Sequence, residues 1–246
     1  AVGADANVGR VVMSGAFANR AEAGRHLAAR LSGMRTEGRV VVLALPRGGV
    51  PIGAEVARAL HAPLDLLLVR KIGAPWQPEL AVAAVVDGTP PQLVVDESTC
   101  ALAGIDRDYI EKAMTRELRE IERRRHVYLA GRAPVNLADA TVIVVDDGIA
   151  TGTTMRAALK GLKAMRPRRL VVAVPVASAD TVQALRGEVD EIVCLEQPEF
   201  FHAIGNHYGD FHQVSDEEVM AALDVAVDTS PQPDLPGSPS WRTKSG

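Results

Sequence analysis

The chain has 246 residues, which is enough to bury a full hydrophobic core, and we expect one domain with at most a small subdomain. Hydrophobic residues make up 47% of the chain and charged residues 24%, as in ordinary globular proteins, and no apolar run reaches the ~18 residues of a membrane span. The net charge of −4 provides no basic field for nucleic acid or an anionic membrane, and two cysteines without metal or disulfide spacing favour the cytoplasm.

Strand-like apolar runs alternate with helical patterns along the chain, which predicts βαβ units. In the first half we expect a helix at 20–31, a strand at 40–45, a helix at 51–60, a strand at 65–70, and strands at 81–86 and 92–96. In the second half we expect a long helix at 106–127, a strand at 142–145, a helix opening at Met155, a strand at 169–176, a helix at 179–186, a strand at 190–195, and a helix at 215–225 that begins with a capping box. The fold class is therefore predicted as α/β, with a mainly parallel twisted sheet flanked by helices.

The two ends of the chain differ from this pattern. Residues 1–13 are expected to form an N-terminal extension without the basic start and apolar centre of a signal peptide. Residues 229–246 are rich in Pro, Ser and Gly and offer little to pack, so a disordered tail is expected there. Residues 14–228 are predicted to be the folded domain.

The most informative stretch lies at residues 142–154, Val-Ile-Val-Val-Asp-Asp-Gly-Ile-Ala-Thr-Gly-Thr-Thr. Four consecutive β-branched residues predict a buried strand, with Asp146 and Asp147 at its end. The small-residue loop that follows enters a helix, so it offers backbone N–H groups and a helix N-terminus to a phosphate. Two carboxylates beside such a loop suit the hydroxyls of a sugar. The stretch predicts a site for a phosphorylated sugar, and the alternative is an ordinary βα loop with an acidic strand end.

A second loop of this kind has the sequence Leu-Pro-Arg-Gly-Gly-Val-Pro at residues 45–51. Gly48 and Gly49 let the backbone approach a ligand closely, and the forked donors of Arg47 suit diphosphate oxygens. A tight turn with a solvent-exposed arginine is the alternative. Arg70 and Lys71 end the next predicted strand, where adjacent cations repel unless an anion neutralises them, and simple solvation is again the alternative.

Taken together and in this order, the loops resemble the type I phosphoribosyltransferase family, in which an apolar strand, two acidic residues and an Ala-Thr-Gly-x-Thr loop bind phosphoribosyl diphosphate. The resemblance implies a small hood, here at about 14–35 and 197–226, over the carboxyl ends of the strands. It implies Mg²⁺-dependent transfer of phosphoribosyl from phosphoribosyl diphosphate to a nitrogenous, nucleobase-like acceptor, with release of pyrophosphate. The segments Phe17-Ala-Asn-Arg20 and Tyr208-Gly-Asp-Phe211 further resemble a bacterial branch of the family without an agreed substrate.

The resemblance also implies roles for single residues. Asp146 and Asp147 are expected to hold the ribose hydroxyls and to favour positive charge at C1. The ribose 5-phosphate is expected at Gly148, Ala150, Thr151, Gly152, Thr153 and Thr154, and the departing diphosphate at Arg47, Gly48, Gly49, Arg70 and Lys71. In this family the loop that binds the diphosphate often contains a non-proline cis peptide, and a flexible lid, here residues 75–79, closes over the diphosphate.

Cofactor and partners follow from the same resemblance. Mg²⁺ is expected to be carried mainly by the diphosphate, since Mg²⁺ usually takes few protein ligands, and no metal ligand is assigned to the chain. The expected partners are phosphoribosyl diphosphate and an unidentified small-molecule acceptor, with no nucleic acid and no membrane. Because the family often forms dimers, a second copy of the chain is also a candidate partner.

Two features leave the acceptor and the reaction open. Ala150 stands where purine 6-oxo transferases carry an aspartate, so their mechanism is not expected here. The segment 199–212 holds three histidines and four Phe or Tyr residues, and it is either a packed loop or a wall for a planar acceptor. The five-residue spacing of its histidines does not match a zinc pattern. A non-catalytic sensor of phosphoribosyl diphosphate or a nucleotide, or a hydrolase of phosphoribosyl compounds, are the alternative functions.

Overall fold

The computed structural model describes residues 16–34, 38–130, 132 and 134–228. The predicted extension at 1–13 and the predicted tail at 229–246 lie outside the described residues. The elements in chain order are α1 (Arg20–Ser32), β1 (Val40–Ala44), α2 (Gly49–Leu60), β2 (Leu64–Leu66), β3 (Val69–Ala74), β4 (Gln77–Val86), β5 (Gln92–Val95), α3 (Glu97–Ala103), α4 (Arg107–Leu129), β6 (Thr141–Val145), α5 (Thr153–Ala164), β7 (Arg169–Val176), α6 (Ala179–Leu185), β8 (Glu191–Glu196), a 3₁₀ helix (Ile204–His207) and α7 (Asp216–Asp228).

A five-stranded parallel sheet in the order β2-β1-β6-β7-β8 forms the centre of the domain. β6 lies in the middle of this sheet and is buried along its whole length. Val142 and Val144 pack into the core on one face, and Ile143 and Val145 pack into the core on the other. A strand covered on both faces is buried at successive positions, which explains the continuous Val-Ile-Val-Val run and confirms that prediction.

Helices cover both faces of the parallel sheet. α1, α2 and α7 contribute Leu27, Val56 and Leu223 to one core, and α5 and α6 contribute Leu159 and Leu185 to the other. Because all five strands are parallel, their carboxyl ends lie at one edge of the sheet, and the loops that follow β1 and β6 meet there. The predicted α/β class with a parallel sheet flanked by helices is confirmed.

A second, antiparallel sheet in the order β3-β4-β5 packs against α4 and α5. The prediction of one strand over residues 65–70 is wrong, because β2 ends at Leu66 and β3 begins at Val69 in the other sheet. The linking Leu67 and Leu68 are both buried, so the apolar run continues through the change of sheet. Hydrophobic periodicity alone does not mark such a point.

The segment 72–79 is a β-hairpin rather than an irregular loop. β3 continues to Ala74 and β4 begins at Gln77, so only Pro75 and Trp76 form the turn. Trp76 at the tip is 62% exposed. A two-residue turn fits strands that are still paired at their ends, and the closure of this hairpin over a ligand stays a prediction.

A buried charge cluster joins α4 to both sheets. The Arg125 guanidinium lies 3.3 Å from Asp65 on β2 and also donates to Asp87 at the end of β4, and all three side chains are at most 13% exposed. Asp65 accepts a further hydrogen bond of 2.9 Å from the Val135 backbone N–H. Burial raises the pKa of Asp87, and Arg125 opposes that rise. Removing one partner of such a group leaves buried charge uncompensated, which is strongly destabilising.

Most predicted helices have close counterparts in the structure, including the long α4. The predicted capping box is confirmed, because the Ser215 N–H donates to Glu218 Oε2 at 2.8 Å and the Glu218 N–H lies 3.2 Å from Ser215 Oγ. α3 was not predicted; its seven residues follow the N-cap Asp96. Within the described residues, no helix combines the length and the apolar character needed to cross a bilayer.

Candidate active site

The loops after β1 and β6 lie side by side at the carboxyl edge of the sheet, where the Leu45 N–H donates to the Val145 carbonyl at 2.9 Å. The Pro46–Arg47 peptide bond is cis. A Cβ on Gly48 would lie 2.0 Å from Asp147 Oδ2, and one on Gly49 would lie 2.7 Å from the Val145 carbonyl oxygen. The double glycine therefore allows the first loop to lie directly against the acidic end of β6.

The second loop, residues 148–154, joins β6 to α5. Gly152 has φ 73°, a conformation that favours glycine, and α5 begins at Thr153, two residues before the predicted start. The loop is held by two hydrogen bonds: the Ile149 N–H donates to the Val176 carbonyl at 3.0 Å, and the Thr181 hydroxyl donates to the Ala150 carbonyl at 2.6 Å. The loop leads directly into the first turn of α5, whose N–H groups lack intrahelical partners.

Asp146 and Asp147 lie between the two loops. The Asp147 N–H donates to Asp146 Oδ1 at 2.8 Å. Burial, and next the negative charge of Asp147, raise the pKa of Asp146 well above its ordinary value. Burial also raises the pKa of Asp147, while the charge of Arg20 opposes the rise. Two neighbouring half-buried carboxyls, of which Asp147 contacts the Arg20 guanidinium, favour a ligand that donates hydrogen bonds to them or carries positive charge.

Arg20 is the main contributor to this site that sequence reasoning missed. It is 8% exposed, and its Nε and Nη2 each lie 2.9 Å from Asp147 Oδ2. Its Nη1 donates to the His212 carbonyl at 2.8 Å, and its guanidinium carbon lies 3.9 Å from the centre of the Phe211 ring. The only signal in the sequence was the resemblance of residues 17–20 and 208–211 to one branch of the family, which marked both segments without showing their contact.

The two segments predicted to supply the hood meet beside the acidic pair. The Phe17 N–H donates to the His207 carbonyl at 3.0 Å, and the Gly209 N–H donates to the Phe17 carbonyl at 2.8 Å. Tyr208 lies between Phe17 and Phe211, with ring centres 5.6 and 5.0 Å away, and its hydroxyl donates to the Asp147 carbonyl at 2.6 Å. We call the contact of residues 17–18 with 207–210 the hood pairing. α1 and α7, which fall within the ranges predicted for the hood, pack on α2 instead.

Two of the three histidines of segment 199–212, His207 and His212, have different partners. His207 stacks on Phe201 with ring centres 5.8 Å apart. His212 lies 3.0 Å from Asp210 and 2.9 Å from Glu218, and hydrogen bonds to these carboxylates raise its pKa. Over residues 16–34, 38–130, 132 and 134–228, no group of three or more His, Cys, Asp or Glu side chains is arranged to hold a metal ion.

The three basic residues predicted to bind diphosphate occupy different places. Arg47, in the first loop, lies 3.5 Å from Asp216 of α7. Arg70 lies on β3 rather than at the end of a parallel strand, and its Nε is 3.0 Å from Glu117 of α4. Lys71 is exposed and, together with Thr153, lines a cavity of about 210 Å³ beside α5. The predicted strand end for Arg70 and Lys71 is therefore wrong, and diphosphate binding by all three stays a prediction.

Comparison with known proteins gives one family. Residues 16–208 match the family model described as phosphoribosyl transferase domain. "Putative phosphoribosyl transferase MT0597" of Mycobacterium tuberculosis strain CDC 1551 and "Putative phosphoribosyl transferase Rv0571c" of strain H37Rv are each 42% identical to this chain over 210 residues. That match covers 85% of this chain and 47% of each relative, so the chain spans about half the length of the curated relatives it matches. The crystal structure of TT1426 from Thermus thermophilus superposes with a TM-score of 0.75 at 41% identity, covering 87% of this chain and 99% of that one.

Proposed function

This chain belongs to the phosphoribosyltransferase family, and from that membership we propose that it transfers a phosphoribosyl group from phosphoribosyl diphosphate to a nitrogenous acceptor. In this reaction the bond from C1 to the diphosphate oxygen breaks, a bond from C1 to the acceptor nitrogen forms, and pyrophosphate leaves. The observation that supports the proposal most is the position of Asp146 and Asp147, which lie at the sheet edge between the glycine loop after β1 and the loop that opens α5.

The acidic pair is the proposed ribose site. As the bond at C1 breaks, positive charge builds on C1 and the ring oxygen, and the carboxylates of Asp146 and Asp147 stabilise it. The same oxygens accept hydrogen bonds from the ribose hydroxyls. Burial has already removed much of the water from these carboxyls. Hydrogen bonds from the ribose hydroxyls would take the place of the hydrogen bonds to water that are lost on folding.

The phosphate groups are assigned to the loops on either side. Gly148, Ala150, Thr151, Gly152, Thr153 and Thr154 are the proposed 5-phosphate site, since amides at a helix N-terminus favour an anion. Arg47, Gly48, Gly49, Arg70 and Lys71 are the proposed diphosphate site. Negative charge grows on the diphosphate as it leaves, so donors there act on the transition state.

Magnesium is proposed to enter on the donor, coordinated by diphosphate oxygens and water. No residue of the chain is assigned as its ligand. The metal would neutralise charge on the leaving diphosphate, and the protein groups would fix the direction of departure.

The acceptor is proposed to bind under the hood, against segment 199–212, in which the Phe200 ring is 76% exposed. Ala150 places no carboxylate in the phosphate loop, so the proposed acceptor does not depend on a base at that position. A planar nitrogenous ring fits an aromatic wall because offset stacking with such rings is favourable.

Isothermal calorimetry with phosphoribosyl diphosphate and Mg²⁺ tests the donor site. We expect the wild-type protein to bind and the Asp146→Asn/Asp147→Asn double variant to bind at least about 100-fold more weakly, since two charge-assisted contacts worth about 1.5–3 kcal/mol each are weakened. Asp224→Asn, an exposed carboxyl on α7, is the matched control and should bind as the wild type does. Absence of binding by the wild-type protein contradicts the proposal.

A panel of nitrogenous bases with detection of pyrophosphate then separates the reaction types. Release that depends on a base supports the transferase, and release without any base indicates a hydrolase. Binding without release indicates a sensor of phosphoribosyl diphosphate.

A further inference from the structure

We propose that Arg20 is a positioning residue for this reaction: it fixes the direction of the Asp147 carboxylate, places a positive charge directly against it, and connects it to the hood. The inference rests on the proposed function, because it concerns the carboxylate assigned to the ribose hydroxyls. Arg20 lies at the start of α1, outside both phosphate loops.

The contacts of Arg20 use three sides of its guanidinium group. Two nitrogens bind one oxygen of Asp147, each at 2.9 Å. A third nitrogen donates to the His212 carbonyl, and the plane of the group lies over the Phe211 ring. A guanidinium with hydrogen bonds on two edges and a ring on its face has little freedom to turn, so it holds its partner in one place.

Asp147 is also held from other directions. The backbone of Gly48 lies so close to Oδ2 that no Cβ fits, and Tyr208 holds the Asp147 carbonyl. Because Arg20 takes Oδ2, the second oxygen, Oδ1, is the one left to accept a hydrogen bond from a ribose hydroxyl. The arrangement therefore selects both the rotamer and the oxygen that face the donor.

The charge of Arg20 has a separate effect. The groups that face Asp147 are the Asp146 carboxyl, the Tyr208 ring and hydroxyl, and Arg20, and Arg20 is the cation among them. Two adjacent carboxyls repel each other when both are ionised, and a positive charge beside one of them favours its ionised form. Arg20 contacts Asp147 directly, and its charge opposes the rise that burial causes in the pKa of Asp147, which favours the ionised form of this carboxyl.

Three variants separate charge from packing. Arg20→Gln removes the charge but keeps a planar donor, and Arg20→Lys keeps the charge but loses the fork and the flat face. Arg25→Gln is the matched control, since Arg25 lies on the same helix, is largely exposed, and reaches Glu55 only at 3.8 Å.

The first measurement needs no ligand. Carboxyl ¹³C NMR titration, with signals assigned through Asp146→Asn and Asp147→Asn, follows each carboxyl against pH. We expect Asp147 to titrate at least one pH unit higher in Arg20→Gln than in the wild type, with Arg20→Lys close to the wild type and Arg25→Gln unchanged. An Asp147 that titrates at the same pH with and without the Arg20 charge overturns the inference.

The second measurement is calorimetry with phosphoribosyl diphosphate and Mg²⁺ between pH 6 and pH 9. We expect Arg20→Gln to bind at least tenfold more weakly at pH 7 and to recover part of that loss as the pH rises and Asp147 ionises. A loss that is equal at every pH shows a merely structural role and also overturns the inference. If the wild type does not bind the donor at all, the proposed function fails, while the ligand-free titration still decides what Arg20 does to Asp147.

Discussion

Gly48→Ala is the sharpest perturbation of the candidate site. Gly48 has φ −60° and ψ −34°, a conformation that alanine adopts without cost, so backbone strain plays no part. The single added methyl group is the whole change. Its carbon would lie 2.0 Å from Asp147 Oδ2 and 2.5 Å from Asp147 Cγ, whereas an ordinary contact is 3.4 Å or more.

The size of the effect follows from that overlap. Either the carboxylate or the loop must move by more than 1 Å, and two contacts of 2.9 Å from Arg20 hold the carboxylate in place. A misplacement of about 1 Å at a reacting group can cost about 100-fold in rate. We therefore expect kcat/KM to fall about 100-fold, equivalent to about 2.7 kcal/mol, and overpacking to cost about 1–3 kcal/mol of stability.

Pyrophosphate release and donor calorimetry measure the loss, and circular dichroism checks that the variant is folded. Gly187→Ala is the control, because a Cβ there meets nothing within 4 Å and its φ is not positive. The control should match the wild type within twofold in both assays. A folded Gly48→Ala protein that binds the donor within threefold of the wild type refutes the claim that this loop and Asp147 are in close contact around the ligand.

Three further predictions concern stability, the charge cluster and the hairpin. Asp146→Asn should raise Tm, because burial raises the pKa of this carboxyl and its ionised form therefore destabilises the folded protein. The gain in Tm should be absent below pH ~4 and should grow as the pH rises toward the raised pKa, at about 2–4 °C per kcal/mol. A Tm equal to that of the wild type at pH 8 contradicts this. Arg125→Met should lower the free energy of unfolding in urea by about 3–5 kcal/mol, because two buried carboxyls lose their cation, whereas the exposed Arg107→Met should change it by less than about 0.5 kcal/mol. If both substitutions lower the free energy of unfolding equally, the buried charge cluster around Arg125 is contradicted. In a Trp241→Phe background, the emission of Trp76 should shift to shorter wavelength on donor binding if the hairpin closes, and an unchanged spectrum rules out closure over the donor.

The parts of the site that depend on local sequence could be predicted. Residues 141–154 contain the buried strand β6, the acidic pair at its end and the glycine loop after it. Each is set by a short-range rule: β-branched residues for a doubly covered strand, and glycine for a left-handed turn. Gly152 does take the left-handed conformation, and the helix begins directly after it.

The contacts that join distant segments could not be predicted in this way. Arg20 and Asp147 are 127 positions apart, and Arg70 and Glu117 are 47 apart. Nothing in the periodicity of one segment specifies the partner in another. The change of sheet after Leu66 could not be predicted for a related reason. A buried residue that links two sheets has the same apolar character as a residue in the middle of one strand.

The hood pairing has a consequence for the order in which the site is completed. A chain emerges from the ribosome N-terminus first, and domains fold as their parts become available. Arg20 is among the first described residues to emerge, but its partner His212 lies 192 positions later. Both phosphate loops are therefore synthesised, and the parallel sheet can assemble, before the chain contains the His212 carbonyl that anchors Arg20 beside Asp147. Contacts between residues so far apart in the chain form late, because the long intervening segment must first be closed. A nascent chain therefore carries the two phosphate loops before the site is complete.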